Sequence, residues 1–326
     1  MKRRTFIAGL GSAAAWPFDA RAQQSPMPVI GYLGTQSADD DSKFFTVPFL
    51  QGLKETGYVD GQNVAVEYRY AENQLDRLPA LAADLVRRRV AVIVTSGTSA
   101  ALAAKAATTT IPIVFTAGAD PVAVGLVASL NRPGANLTGS AILTAELAPK
   151  QLQLLRELVP KAVVFGVLAD PAFPDTQSVI VDLQAAGRTL GLQLVVVNAR
   201  TDSDLETAFA TFSQQRVGAV LVGNSSFYDR RMKQLVALAA RHALPAMFPY
   251  REHVLAGGLM SYGSSLGYRF HQAGIYTGRI LRGEKPADLP VEQATRIGLA
   301  INLKTAKTLG LEIPATIYAR ADEIIE

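Results

Sequence analysis

The sequence predicts an α/β protein made of two doubly wound lobes, each with a mostly parallel sheet, that face each other across a cleft. Three observations lead to this fold class. Apolar runs typical of buried strands alternate with helical patterns, this alternation restarts in the second half of the chain, and 49% of the 326 residues are hydrophobic. A chain of this length and composition can bury the core that two such lobes require.

The first half of the chain alternates four strands with three helices. Apolar or alternating runs predict strands at 28–33, 64–70, 90–95 and 111–115, and the segments between them predict helices at 44–55, 75–89 and 100–108. Strands that alternate with helices in this way form parallel sheets, and the helices cover both faces of the sheet.

The second half repeats this order after a connection near residues 132–142. It predicts strands at 162–168, 192–197, 217–222 and 246–248, with helices at 176–190, 204–215 and 230–242. Ligands of open parallel sheets bind outside the carboxyl ends of the strands. We therefore expect a small-molecule site in the cleft between the two lobes.

The first 22 residues predict an export signal and not a part of the fold. A charged start, Lys2-Arg3-Arg4, precedes an apolar run of about 11 residues, which is too short to span a bilayer. Small residues at Ala20 and Ala22 suit cleavage after Ala22. The Arg3-Arg4 pair also resembles the twin-arginine motif, so the Sec and twin-arginine routes both stay open. We expect a periplasmic mature protein without a membrane span.

Composition excludes several function classes. The chain has no Cys, so it has no disulfide framework and no thiol nucleophile, and its three His are too scattered for a metal motif. Beyond residue 22 it carries 28 basic and 27 acidic residues, so we expect no nucleic-acid partner. No glycine-rich phosphate loop follows the first strand, and we expect no cofactor and no metal.

Several motifs resemble one family along the whole mature chain. The motifs lie at residues 120–122, 125–127, 132–139, 257–263, 280–286, 301–307 and 320–323. They resemble those of the substrate-binding proteins of ABC transporters, in the tryptophan/aromatic amino-acid-binding-like group.

This resemblance implies a type I periplasmic-binding fold with three crossovers between the lobes. It places residues 29–140 and 262–288 in lobe 1, and residues 141–261 and 289–326 in lobe 2. It also implies a monomer without catalytic activity, which binds one solute between the lobes and presents it to a separate ABC permease in the membrane.

Candidate binding residues of lobe 1 follow the ends of its strands. Residues 96–99 lie where a strand ends and a helix begins, and N–H groups and hydroxyls at such a place can hold a carboxylate. Simple N-capping explains one of these hydroxyls without any ligand. In the resembling family the neighbouring loops face the cleft as well. The candidates are Gln36, Ser37, Ser96, Gly97, Thr98, Ser99, Thr116 and Ala117.

Candidates in lobe 2 are Asn224, Ser225 and Tyr228 after one strand, and Tyr250 after another, where a ring can stack on a flat ligand. Amino-acid-binding relatives place an acid in this region, whereas residues 223–226 contain none and the first acid is Asp229. A neutral amide cannot offset a buried ammonium. We therefore rank a carboxylate-bearing or neutral aromatic solute level with an aromatic amino acid.

Two alternative functions stay open at this point. The same fold serves as a small-molecule sensor in signalling proteins. Residues 263–267 also match G-x-S-x-G, which would make Ser265 a hydrolase nucleophile, but such an enzyme needs an acid and then a His after the Ser. His271 follows too closely and precedes any suitable acid, so a turn at a helix start explains the match better.

Overall fold

The structure is a computed structural model that describes residues 27–38, 42–142, 144–293 and 297–326. The predicted export signal, residues 1–22, lies outside the described residues. The described chain forms two α/β lobes, each built on its own sheet, and this confirms the predicted fold class.

Lobe 1 begins with five parallel strands; the apolar runs predicted the first four, and the fifth lies in the segment that the sequence assigned to the connection. They are β1 (Val29–Gly34), β2 (Ala65–Tyr70), β3 (Val92–Ser96), β4 (Ile113–Ala117) and β5 (Leu137–Ala141). The helices between them are α1 (Val47–Glu55), α2 (Leu78–Arg87) and α3 (Thr98–Ala107). A π-helical turn, Ser42–Thr46, leads into α1, and a 3₁₀ turn, Leu75–Arg77, leads into α2.

Lobe 2 repeats this arrangement. Its strands are β6 (Val164–Ala169), β7 (Gln193–Asn198), β8 (Ala219–Val222), β9 (Ala246–Phe248) and β10 (Met260–Gly263), and all are parallel. Its helices are α4 (Thr144–Leu158), α5 (Thr176–Thr189), α6 (Asp202–Gln214), α7 (Ser226–Arg230), α8 (Met232–Arg241) and α9 (Arg251–Leu255).

The remaining elements pass between the lobes. They are α10 (Leu266–Leu281), a 3₁₀ turn (Pro286–Asp288), β11 (Glu292–Gln293), β12 (Gly298–Asn302), α11 (Leu303–Thr308), α12 (Ala315–Tyr318) and β13 (Glu323–Ile325). The sheet orders are β11-β5-β4-β3-β1-β2 in lobe 1 and β13-β12-β10-β9-β8-β6-β7 in lobe 2. Only the pair of β10 and β12 is antiparallel among the described strands.

The sheets place the lobe boundaries a few residues away from the expected ones. β10 ends at Gly263 in the sheet of lobe 2, although the sequence predicts lobe 1 from residue 262. β11 pairs with β5, so the sheet of lobe 1 reaches Gln293, beyond the expected limit at residue 288. The two residues of β11 form too short a run for a sequence pattern to reveal, and backbone pairing alone assigns them to this sheet.

Each sheet is buried on both faces, as parallel sheets require. In lobe 1, Phe49 of α1 packs against Tyr32 on the face where α10 also lies, while Leu85 of α2 packs on the opposite face. The helix pair α1 and α10 packs closely through glycines. A Cβ on Gly52 or on Gly274 would overlap the backbone of the other helix, and this contact fixes α10 to lobe 1. None of the described helices is long and apolar enough to cross a membrane.

Candidate functional site

The carboxyl ends of the two sheets face each other, and the lobes are in contact there. The backbone N–H of Asp120 in lobe 1 donates to Oδ2 of Asp175 in lobe 2 at 3.0 Å. A Cβ added to Gly118 of lobe 1 would lie 2.5 Å from Nδ2 of Asn224 in lobe 2. The cleft is therefore closed in this structure, and the lack of a side chain at Gly118 permits the approach.

A cavity of ≈330 Å³ lies between the closed lobes. Both lobes contribute polar groups to its wall, and aromatic rings complete it. The lining residues are Phe45, Ser96, Gly97, Thr98, Thr116, Gly118, Phe173, Asn224, Ser226, Asp229, Tyr250, Arg269 and Phe270.

The lobe 1 wall contains the strand-to-helix turn that the sequence singled out. Ser96 ends β3, and Thr98 begins α3; both are buried. Between them Gly97 has a φ of 95°, a left-handed conformation that favours glycine, and it provides no side-chain cap for the helix. Thr116 lies beside this turn, and its hydroxyl donates to the carbonyl of Thr95 at 3.1 Å. Hydroxyls and helix N–H groups thus meet at one side of the cavity, where they can hold an anion.

Arg269 adds a positive charge to the same wall. It lies on the first turn of α10, is only 4% exposed, and its Nη1 donates to the carbonyl of Ala117 at 3.4 Å. Its guanidinium also lies 5.1 Å from the ring centroid of Tyr250 in lobe 2. Nε of Arg269 is buried and has no hydrogen-bond partner among the described residues. A buried, incompletely bonded guanidinium that faces a cavity can bind a carboxylate.

Lobe 2 contributes a carboxylate, Asp229 of α7. The residue is half-buried, but its Oδ1 is inaccessible to solvent and has no hydrogen-bond partner within the described chain. Burial raises the pKa of Asp229 to about 7, although the charges of Arg269 and Arg230 oppose this; the charge of Glu252 adds to the increase. Desolvation thus outweighs the compensation that the two arginines provide, and Oδ1 can still accept a hydrogen bond.

Asp229 corrects the expectation that this part of lobe 2 has no acid for an ammonium. Residues 223–226 contain no acid, but α7 starts at Ser226, and its first turn brings Asp229 to the cavity wall. The preceding residue faces elsewhere, because neighbours on a helix point about 100° apart.

Tyr228, a predicted site residue, accordingly lies in the core of lobe 2. It is fully buried, and its hydroxyl donates to the carbonyl of Ala199 at 3.0 Å. Asn224 and Tyr250 do line the cavity and bond to each other, the Tyr250 hydroxyl donating to Oδ1 of Asn224 at 2.7 Å. Nδ2 of Asn224 is buried without a partner. Burial raises the pKa of Tyr250 well above its usual range, so its hydroxyl stays a donor.

The other candidates lie beside the cavity and not on its wall. Gln36 is buried, and its Nε2 donates to Oγ of Ser96 at 3.0 Å, so it orients that hydroxyl. Ser37 is half-buried, and Ala117 contributes only its carbonyl, which accepts from Arg269. Ser99 and Ser225 line a neighbouring polar cavity of ≈810 Å³, and the hydroxyl of Ser225 caps α7 by accepting from the N–H of Phe227.

The G-x-S-x-G match is a helix start. Oγ of Ser265 accepts from the N–H of Tyr268 at 3.4 Å and donates to Oε1 of Glu252 at 2.8 Å. His271 pairs instead with Glu55, at 2.9 Å between Nε2 and Oε1. Ser265 therefore has a carboxylate partner but no His in the arrangement that a serine hydrolase requires. Among the described residues no group of three His, Asp or Glu side chains could hold a metal ion.

Sequence reasoning missed Arg269, although the sequence contains a signal for it. The buried face of α10 is formed by apolar and small residues at helical spacing, and Arg269 falls on that face between Leu266 and Ala273. An arginine at a core position requires a specific partner. Gly118, Ser226 and Phe270 were missed as well, because only the closed arrangement of the lobes brings them to the wall.

Two lobes that close over a polar cavity, with every wall formed at strand ends, define a two-lobed solute-binding protein of the type I periplasmic kind. The chain belongs to the ABC transporter substrate-binding protein family, whose model matches residues 39–325. The resemblance stated from the sequence motifs is thereby confirmed, and the expectation of a binding protein instead of an enzyme agrees with this family.

Three known proteins illustrate the similarity. A tyrosine-binding protein of Clostridioides difficile is 27% identical over 267 residues, which cover 81% of this chain and 76% of that protein. The crystal structure of a conserved domain protein from Vibrio cholerae superposes with a TM-score of 0.83 at 26% identity, covering 91% of this chain and 99% of that one. The crystal structure of an ABC domain from Streptococcus pneumonia in complex with L-Trp superposes with a TM-score of 0.80 at 23% identity, covering 91% of this chain and 100% of that one.

Family membership assigns the general role. The protein is a solute-binding component that works with an ABC permease, and the family is extracytoplasmic in general. The two cavity walls described above then bear on the chemistry of the solute.

Proposed function

We propose that this protein acts in the periplasm as a monomer and captures an α-amino acid with an apolar or aromatic side chain for uptake by a separate ABC permease. One observation carries the proposal. A buried guanidinium on lobe 1 and a buried carboxylate on lobe 2, Arg269 and Asp229, line the same small cavity. An α-amino acid carries the complementary pair of charges on one carbon atom.

The carboxylate of the ligand would bind the lobe 1 wall. There it meets the hydroxyls of Ser96 and Thr98, the N-terminus of α3 and the guanidinium of Arg269. Donors of several kinds on one side of a cavity suit both oxygens of a carboxylate, and a charged donor strengthens the interaction.

The ammonium would bind Asp229. The unpartnered Oδ1 of this residue accepts a hydrogen bond from it, and the positive charge compensates the desolvation that raises the pKa of the carboxyl. The hydroxyl-bonded Oδ1 of Asn224 lies on the same lobe and offers further acceptor capacity. The ammonium thus has a charged partner, which removes the earlier reason to doubt an amino-acid ligand.

The relatives agree with this ligand class. One is described as tyrosine-binding, and another has L-Trp bound. In the present chain Phe45, Phe173, Tyr250 and Phe270 supply rings around the cavity, which suits an apolar or aromatic side chain. Export by the Sec or twin-arginine route, with cleavage after Ala22, would deliver the protein to the compartment where such solutes are captured.

Thermal-shift and calorimetric measurements with a ligand panel test the proposal. The panel contains phenylalanine, tryptophan, 3-phenylpropionate, which lacks the ammonium, and phenethylamine, which lacks the carboxylate. We expect the two amino acids to bind tightest; a ligand at 100 times its Kd stabilises a protein by about 2.7 kcal/mol. Replacing Ser96 and Thr98 together by Ala should shrink this stabilisation, because carboxylate oxygens would lose partners at about 1–3 kcal/mol each.

The outcome that refutes the proposal is equally concrete. If 3-phenylpropionate or a solute without either charge binds as tightly as phenylalanine, the ligand is not recognised as a zwitterion. Recovery of chemically unchanged ligand after long incubation separates a binding protein from an enzyme. Scattering measurements should show a more open molecule without ligand and a contracted one with it.

A further inference from the structure

A second cavity, which we call the lobe 2 chamber, lies behind the cleft. Its walls surround ≈590 Å³ of space, part of which is open to solvent, and are formed by the carboxyl ends of β6, β8 and β9 and by the helices α4 and α5. Three residues, Phe173, Asn224 and Tyr250, line both the chamber and the cleft cavity. The two cavities are therefore neighbours that share one wall.

The interior of the chamber is aliphatic. Behind the shared wall its lining consists mostly of branched side chains, and none of the other described lining residues is aromatic. The aliphatic residues are Ile142, Leu147, Ala148, Val167, Leu168, Ala169, Val179, Ile180, Leu183, Leu221 and Val222. Such a surface gains from burying any apolar group but offers no ring on which a flat ligand could stack.

The polar side chains of the chamber behind the shared wall already have partners, whereas Nδ2 of Asn224 in that wall has none among the described residues. Nε2 of Gln151 donates to the carbonyl of Tyr262 at 2.7 Å, and the hydroxyl of Thr176 donates to the carbonyl of Asp170. The carboxylate of Asp170 accepts from the N–H of Ala172 at 2.9 Å and from the hydroxyl of Ser225. A polar ligand group would find few partners here, whereas an apolar group would leave none of these bonds unmade.

One part of the shared wall depends on the closed arrangement of the lobes. Phe173 belongs to the loop between β6 and α5, and its ring tip reaches lobe 1, where it would lie 3.2 Å from a Cβ placed on Gly118. A residue that contacts both lobes changes its surroundings when the cleft opens. Opening of the cleft would remove the lobe 1 contact of Phe173 and allow its ring to move away from the wall between the two cavities.

We propose that the lobe 2 chamber holds the side chain of the bound solute, and that its aliphatic lining extends the ligand class to α-amino acids with long, straight aliphatic side chains. This inference rests on the proposed function for the charged head of the ligand. The head stays between Arg269 and Asp229, and the chain passes between Phe173 and Tyr250 into the chamber. The affinity for the solute then increases with the length of its side chain until the chamber is filled.

A homologous series tests this directly. Calorimetry with straight-chain α-amino acids from 2-aminobutyrate to 2-aminooctanoate should give an affinity that increases about fourfold per methylene, which corresponds to ~0.8 kcal/mol for each buried CH₂. A second series of plain carboxylates, butanoate to octanoate, should show a similar dependence on chain length at lower affinity.

Variants that fill the chamber provide the matched comparison. Ala148→Phe, or Val179→Phe from the other helix, should abolish the dependence on chain length and leave 2-aminobutyrate within about twofold of the unmodified protein. Val181→Phe is the control, because Val181 lies on the same helix as Val179 but is 52% exposed. Thermal unfolding of each variant verifies that it is folded.

The possible results separate the two proposals. If 2-aminobutyrate binds but affinity does not increase with chain length, the chamber proposal is overturned and the zwitterion site stands. The same holds if affinity increases with chain length as strongly in both filled variants as in the unmodified protein. A gain along the carboxylate series that Ala148→Phe removes, with no preference for amino acids, supports the chamber and overturns the proposed function.

Discussion

Lobe 1 and lobe 2 have the same strand–helix order, but they bring opposite charges to the cavity. Lobe 1 supplies Arg269 and the N-terminus of α3, whereas lobe 2 supplies Asp229 and opens behind it into an aliphatic chamber. The fold positions strand ends at the cleft in both lobes, and the residues at those ends decide the chemistry. A ligand with two opposite charges would engage both lobes at once, which couples its recognition to closure.

The largest effect is expected from removing the lobe 2 charge. Asp229→Asn should weaken the binding of phenylalanine by about two orders of magnitude or more, because breaking a buried charge pair costs about 3–5 kcal/mol. Calorimetry measures this loss. The exposed Asp182→Asn in the same lobe serves as the control and should bind as before.

The same variant should gain stability without ligand, which a purely structural role for Asp229 would not produce. A raised carboxyl pKa means that the folded state holds the proton of Asp229 more tightly than the unfolded state does. The free energy of unfolding therefore decreases as the pH rises from about 4 to 7, where the unfolded state releases this proton first. Asn has no charge to bury, and the melting temperature at pH 8 should increase. A lower melting temperature together with unchanged phenylalanine affinity would exclude Asp229 as the ammonium partner.

A smaller loss is expected from removing the lobe 1 charge. Arg269→Gln should weaken the binding of phenylalanine about 10- to 150-fold, because a hydrogen bond to a charged group contributes about 1.5–3 kcal/mol. Phenethylamine, which has no carboxylate, should lose little by comparison in competition calorimetry. Arg241→Gln, in an exposed pair with Glu206, is the control. Equal losses for both ligands would assign Arg269 a structural role only.

The smallest effect concerns pH. Asp229 must be ionised to pair with an ammonium, and its pKa of about 7 without ligand means that protonation competes with binding below neutral pH. Arg269 of α10 and Arg230 of α7 favour the charged form, and Glu252 of α9 opposes it. Affinity for phenylalanine should therefore decrease about tenfold from pH 8 to pH 6. The profile should be flat in Asp229→Asn; a pH dependence that persists there would point to another group.

Sequence patterns located the lobe 1 wall more accurately than the lobe 2 wall. Ser96, Gly97 and Thr98 form a local feature, since strand end, turn and helix start are consecutive, and the structure places all three at the cavity. The lobe 2 wall depends on where α7 begins. A helix start shifts side-chain directions by about 100° per residue, so Asp229 reaches the cavity while Tyr228 enters the core.

The sequence by itself determined the two α/β lobes, the family and the general position of the cleft, because hydrophobic periodicity and turn residues act over a few neighbouring positions. Tertiary structure alone decided which charges meet. Arg269 follows the second crossover, more than 150 residues after Ser96, and contacts a carbonyl of the strand next to β3 only because α10 returns to lobe 1. Arg269 and Asp229 line the same cavity only because the lobes are close together. This closeness is set by packing at contacts such as Gly118 with Asn224 and by no local sequence pattern.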